Sequence, residues 1–312
     1  MSFSREAVLP DLLYARITDR RVSDPTAVLW AATERRRRET LAPTGRLVLV
    51  AADHPARRVN AAGGKPLAMA DRRDLLARIQ AVLRAGLADG VMGSMDVLED
   101  LLILHQLEME DGGEGLLHDK VLVASMNRGG LAATAWEMCD PVTGPTAEAC
   151  ARSGIDGGKL LLRLCPSDPG TLRTIEACAL AITALNQRRL ACFMEPLAVR
   201  RSDGRFKVLR DATEIIRAVG VAQALGDSSH RMWLKLPWCE DFGAVAAATT
   251  LPILLLGGPG ETGMPPFADQ LAQAMSAGRN VRGVMVGRTL LYPEGGDPLP
   301  AAQRIHDLVH GS

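Results

Sequence analysis

One lysine, Lys235, interrupts the otherwise largely apolar run RMWLKLP at residues 231–237. The run reads as a short buried strand, where an ammonium group is costly to keep. A lysine that sheds its proton there attacks carbonyl carbon and forms a Schiff base. Acids that move protons are candidates around it: Asp53, which follows the apolar run 46–52, and Glu195, which closes the run 190–195. Arg163 in the run 158–164 is a further catalytic candidate, a nearby positive charge expected to help Lys235 shed its proton; side chains alternate along a strand, so an inward Arg163 brings Lys159 inward too. Lys159 is therefore the rival amine. Its place at the start of that run argues against it, because a substrate meets the far ends of strands. Gly257-Gly258 and Gly287-Arg288 end two further runs, 251–256 and 281–286. Glycines let backbone N–H groups approach a phosphate, and Arg288 adds a bidentate partner. Asn127 and His54 stand at strand ends as additional substrate contacts. Each residue also has a structural role open to it: Lys235 as an ion-pair partner of Glu195 or Asp53, Asp53 as a turn cap.

These residues need a frame that brings strand ends together. Eight strand–helix units follow one another without a break in composition, with strands near 46–52, 89–92, 120–125, 158–164, 190–195, 231–237, 251–256 and 281–286. Strict alternation predicts parallel strands with right-handed crossovers. The expected fold is an α/β (β/α)8 barrel, a TIM barrel, over 46–312, with an N-terminal helical extension over 1–45. A doubly wound open sheet is the structural alternative. Active sites of such barrels lie at the C-terminal ends of the strands, commonly with a phosphate at the last two. Within the extension a helix is expected over 27–38, its basic end ERRRR solvated and complementing the helix dipole. The stretch 197–208 reads as a basic, turn-like excursion, and the long connection after residue 126 as a lid.

Composition narrows the partners. With 36 basic and 36 acidic residues the net charge is zero, so no global field invites nucleic acid or an anionic membrane. No apolar run reaches the length of a membrane span, and the first 22 residues carry no signal-peptide core. A cytoplasmic protein with reduced thiols is expected. The six cysteines and six histidines do not cluster at ligand spacing, so no metal is expected; chemistry on a lysine Schiff base calls for no organic cofactor either.

LVLVAADH at 47–54, WLKLPW at 233–238, LLLGG at 254–258 and VMVGR at 284–288 together resemble the class I aldolases of the deoxyribose-phosphate, tagatose-bisphosphate and archaeal-type fructose-bisphosphate group. The resemblance spans most of 46–291 and is nearest to a bacterial branch often encoded beside myo-inositol breakdown genes. It implies that Lys235 forms the Schiff base, that Asp53 assists proton transfer, and that Gly257, Gly258, Gly287 and Arg288 hold the phosphate of a sugar-phosphate substrate. It also implies a homo-oligomer. Relatives often place a tyrosine beside the lysine; here Tyr14 and Tyr292 are the only tyrosines. Glu195, His54 or a water would then move the proton. Two other readings keep the barrel: a sugar-phosphate isomerase or epimerase in which Lys235 is an electrostatic clamp, and a non-catalytic sugar-phosphate-binding barrel.

Overall fold

A computed structural model describes residues 3–258 and 263–311; Pro259 and Gly260, which complete the glycine-rich end of the seventh run, lie outside the described residues. The chain opens with three helices, α1 (Arg5–Val8), α2 (Asp11–Ser23) and α3 (Ala27–Glu34). Strands and helices then alternate: β1 (Leu47–Ala51), α4 (Arg72–Arg84), β2 (Gly90–Gly93), α5 (Met95–Glu110), β3 (Val121–Ser125), α6 (Ala147–Arg152), β4 (Gly157–Leu164) and α7 (Gly170–Gln187). The second half holds β5 (Ala191–Ser202), β6 (Arg205–Val208), α8 (Ala212–Ala222), β7 (Met232–Leu236), α9 (Phe242–Ala247), β8 (Ile253–Leu256), α10 (Met264–Ala277), β9 (Val281–Val286), α11 (Arg288–Leu291) and α12 (Pro298–His310).

Eight of these strands are parallel and close on themselves in the order β1-β2-β3-β4-β5-β7-β8-β9, with β9 paired back to β1. The fold is a (β/α)8 TIM barrel, and the closure excludes an open doubly wound sheet. Both faces of the strands are covered, which explains their unbroken apolar runs. Outward residues such as Val48, Val50 and Ile253 pack against the helices in one large core. Inward residues form a separate small core that includes Leu47, Leu49, Val121, Val123, Phe193, Leu254 and Met285. Strand spacing around this interior depends on Gly90 and Gly283, where a Cβ would meet the carbonyl oxygens of Val121 and Leu47 at 2.0 Å. Among the described residues, no helix is long and apolar enough to cross a membrane.

Two local expectations are corrected. The helix expected over 27–38 stops at Glu34, and the arginine run is not a solvated helix end. Arg35 is 3% exposed and donates to the carbonyls of Lys120 (2.6 Å) and Gly154 (2.5 Å), and to Asp156 at 3.1 Å. Arg36 pairs with Asp119, Arg37 with Asp156 and Arg38 with Asp89. These acids precede β2, β3 and β4, so the run clasps the barrel's underside; long-range acids outcompete continuation of the helix. Asp89 also bonds His310 of α12 at 2.9 Å, which ties both ends of the chain to one carboxylate. The second correction concerns 197–208. There β5 continues past the barrel rim to Ser202 and folds back antiparallel as β6, pairing Val199 with Val208.

The clasp predicts an asymmetric response to mutation. Arg35→Met strips a buried charge partner and two carbonyl bonds, and should lower unfolding free energy by about 3 kcal/mol. Arg36→Met, on the solvent side, should leave the midpoint almost unmoved. Urea unfolding followed by circular dichroism measures both; equal effects would contradict a buried clasp.

Candidate active site

Inward alternation carries each strand's sequence from apolar floor to polar top. On β1 the inward face runs Leu47, Leu49, Ala51 and then Asp53; on β5 it runs Ala191, Phe193, Glu195; on β7 it runs Trp233, Lys235. Phe193 and Trp233 stack with ring centroids 6.2 Å apart, one residue pair below Glu195 and Lys235. Above this aromatic floor opens a cavity of about 260 Å³, lined by Asp53, His54, Lys159, Glu195, Lys235, Gly257, Gly258, Gly287 and Arg288 among others.

The centre of the site is one carboxylate oxygen held by two amines. Lys159 Nζ lies 2.6 Å and Lys235 Nζ 3.1 Å from the same Oε2 of Glu195. Lys159 also lies 3.6 Å from Oδ2 of Asp53, which accepts from Arg128 Nη1 at 2.7 Å and Ser125 Oγ at 2.9 Å. Burial works to raise the Glu195 carboxyl, but Lys159 and Lys235 overcome it and hold it at about 2. Burial opposes ionisation of Asp53 as well, and Lys159 and Arg128 keep it well below the usual carboxylate range. Burial pulls the Lys159 ammonium below its ordinary value against the pull of both acids. Burial likewise lowers His54 to about 4, so its ring is neutral near pH 7. At that pH the site therefore presents two ionised bases and, in Lys159, an amine that loses its proton more readily than usual.

Lys159 departs from the expectation that it sits too low. The strands of a closed barrel are staggered. Lys159, third residue of β4, pairs with Ser125, the last residue of β3. Its start in β4 is thus level with the top of its neighbour, and its long side chain climbs to Glu195. The two lysines differ in surroundings: Lys159 touches two carboxylates and Lys235 one, while both line the cavity.

Eight of the ten expected site residues line this cavity; Arg163 and Asn127 do not. Arg163 instead pairs with Glu137 and donates to the Gly130 carbonyl at 2.9 Å. It is not the close neighbour of Lys235 that strand position alone implies; Lys159 is. Asn127 is fully buried: its Nδ2 donates to the Leu161 carbonyl at 2.6 Å and its Oδ1 accepts from Leu161 N–H at 2.8 Å. It extends the β3–β4 ladder where the β3 backbone leaves it, so its amide is spent on the fold rather than on a ligand. The connection after residue 126, expected as a lid, is fastened by buried Asp140, which pairs with Arg57 at 2.6 Å and accepts from Gly130 N–H. Neither tyrosine lines the cavity; the Tyr292 hydroxyl donates to the Ala68 carbonyl.

At the rim, Gly257 and Gly287 have little room for a side chain: a Cβ would stand 2.4 Å from Val286 Cγ2 and 2.3 Å from the Ala51 carbonyl, respectively. Gly258 adopts φ +66°, a left-handed conformation that suits glycine. Packing alone accounts for these glycines, so positive charge is the stronger sign of an anion site. Arg288 supplies it beside Gly258. Arg57 and Arg210, which sequence reading passed over, also line the cavity. Both lie outside the barrel strands, where no alternation points to them. Among the described residues, no group of three metal-ligating side chains is placed to hold a metal ion.

A family model described as Cgl0159-like matches residues 45–305. Cgl0159 from Corynebacterium glutamicum (Brevibacterium flavum), a solved structure, is 38% identical, with 96% of this chain and 97% of that chain covered and a TM-score of 0.88. A Schiff base-forming fructose-1,6-bisphosphate aldolase is 19% identical over 91% of this chain and 100% of its own, with a TM-score of 0.62. An archaeal fructose 1,6-bisphosphate aldolase is 18% identical over 91% of this chain and 100% of its own, with a TM-score of 0.63. At this distance the two aldolases share the barrel fold with the chain. No curated protein matches it.

The two depressed carboxyls set an acid response. Each binds a proton less readily folded than unfolded, so its stabilisation is present above the ordinary carboxylate range and is lost as pH falls through the folded value. For Glu195 the loss runs from about 4.5 down towards about 2. The urea midpoint should drop between pH 5 and pH 3, and Glu195→Gln should drop less over that interval. An identical slope in the variant would contradict the ionised carboxylate.

Proposed function

Starting from a chain that belongs to the Cgl0159-like family, we propose that the protein is a carbon–carbon lyase, a class I aldolase that cleaves a phosphorylated keto-sugar or keto-sugar acid through a Schiff base on Lys235. The observation that carries this reading is the shared Glu195 oxygen: an amine beside an open cavity, 3.1 Å from a carboxylate that a second amine also holds. The resemblance of the barrel to Schiff base-forming aldolases supports it.

In this reading unprotonated Lys235 attacks the ketone carbon. The resulting carbinolamine takes a proton on oxygen and loses water to give an iminium. Lys159, as an ammonium, is placed to supply that proton, and Glu195 to carry it between the two nitrogens. Asp53 or Glu195 then removes the proton from the hydroxyl two carbons away. The C–C bond breaks, its electrons pass to the iminium, and an aldehyde leaves. The enamine is protonated on carbon, and water releases the ketone product and restores Lys235. Arg288 and the loops of Gly257, Gly258 and Gly287 hold the phosphate, so binding remote from the reacting carbon positions the carbonyl. His54, neutral and with a buried Nδ1 that has no hydrogen-bond partner among the described residues, is a candidate for a substrate hydroxyl. The chemistry needs no metal or organic cofactor.

The likeness to the branch encoded beside myo-inositol breakdown genes makes 5-dehydro-2-deoxy-6-phosphogluconate, cleaved to dihydroxyacetone phosphate and malonate semialdehyde, the first substrate to test. We assign the enzyme to the cytoplasm and to a homo-oligomer. Leu172 and Leu180 on α7 and Val221 on α8 leave apolar side chains 60%, 74% and 40% exposed, as a subunit contact would.

Borohydride reduction in the presence of dihydroxyacetone phosphate, followed by peptide mapping, should place the adduct on Lys235; an adduct on Lys159 would reverse the two roles, and none at all would sink the Schiff base. Lys159→Met should slow turnover about 10²- to 10⁴-fold while leaving Lys235 available for trapping. Lys235→Arg should abolish turnover; retained activity would favour an isomerase that uses the cation as a clamp.

A further inference from the structure

The charge around the cavity singles out one cation that has no partner among the described residues. The lining carries Arg57, Lys159, Lys235, Arg210 and Arg288 against Asp53 and Glu195, five cations to two carboxylates. Asp140 matches Arg57 from outside the lining, Glu195 holds both lysines, and Arg288 donates to the Gly258 carbonyl at 3.4 Å. Arg210 has no hydrogen bond or ion pair to any described residue.

Its backbone is nonetheless fixed. The β5–β6 hairpin returns the chain to the barrel mouth, with Val208 bridged to Val199 and Leu209 N–H donating to the Ala198 carbonyl at 2.9 Å. Immediately after Arg210, Asp211 caps α8 by accepting from Glu214 N–H. A β-bridge on one side and a helix cap on the other leave only the side chain free to move. Its Nη2 stands 3.9 Å from the position a Cβ would take on Gly258, the same residue that Arg288 reaches from β9. Two guanidinium groups thus converge on one glycine of the rim.

We propose that Arg210 is a specificity-determining residue: with Arg288 it forms a two-armed grip on a terminal phosphate dianion and selects phosphorylated ketones over unphosphorylated ones. A planar fork of N–H donors matches a phosphate face in a way that a lysine does not. The inference rests on the phosphate reading of the site but not on the Schiff base.

The test uses full-length protein and two probes. Titration calorimetry with inorganic phosphate should show binding about tenfold weaker in Arg210→Gln, with Arg210→Lys recovering part of the loss. Borohydride trapping should show the preference for dihydroxyacetone phosphate over dihydroxyacetone reduced by a similar factor. Thermal unfolding like that of the parent confirms that the variant is folded. Phosphate affinity equal in parent and Arg210→Gln, or no phosphate binding by either, overturns the grip. If no lysine can be trapped in the parent but phosphate binding still falls in the variant, the lyase reading fails and the grip stands.

Discussion

Two amines on one carboxylate oxygen, in the buried top of a barrel, is the constraint around which the rest is arranged. A single lysine beside Glu195 would form a closed ion pair with nothing left to do. Adding Lys159 to the same oxygen puts two positive groups in competition for one negative partner, and burial makes that competition expensive. Asp53, itself held by Arg128 and Ser125, takes up part of the second charge from the β1 side. The layer is balanced yet keeps a proton that can move.

The barrel is graded vertically to support this. Below the ionic layer, the Phe193–Trp233 stack and the inward leucines, valines and methionines exclude water from beneath. Above it, the lining changes to glycine loops and arginines. Apolar floor, ionic middle and cationic rim follow from one sequence rule, inward alternation, applied to strands of different length.

What was legible in the sequence follows the same rule. Apolar runs alternating with helices specify the barrel, and position at a strand end is enough to bring Asp53, Glu195 and Lys235 together. The height of Lys159 is not legible because a linear sequence does not display stagger; only the pairing of Ser125 with Lys159 shows that one strand's third residue is level with another's last. Asn127 and Arg163 stand in or just after strands near the top, which in sequence alone marks them as site residues. Their side chains meet backbone groups and acids of the loop after β3, partners whose positions depend on how that loop folds. The arginine run at 35–38 misled for a similar reason: its acids lie far along the chain, out of reach of any window of neighbouring residues.

That run has a consequence for the order of events during synthesis. Arg35 through Arg38 leave the ribosome well ahead of Asp89, Asp119 and Asp156, and the last of these stands at the midpoint of the 312-residue chain. Until Asp156 has been made, Arg35 and Arg37 wait without their native counterion, next to a polyanionic ribosomal surface. Seating them completes the underside only after β4 has begun to form, so this arginine segment, translated ahead of the barrel strands, is among the last parts of this half to lock.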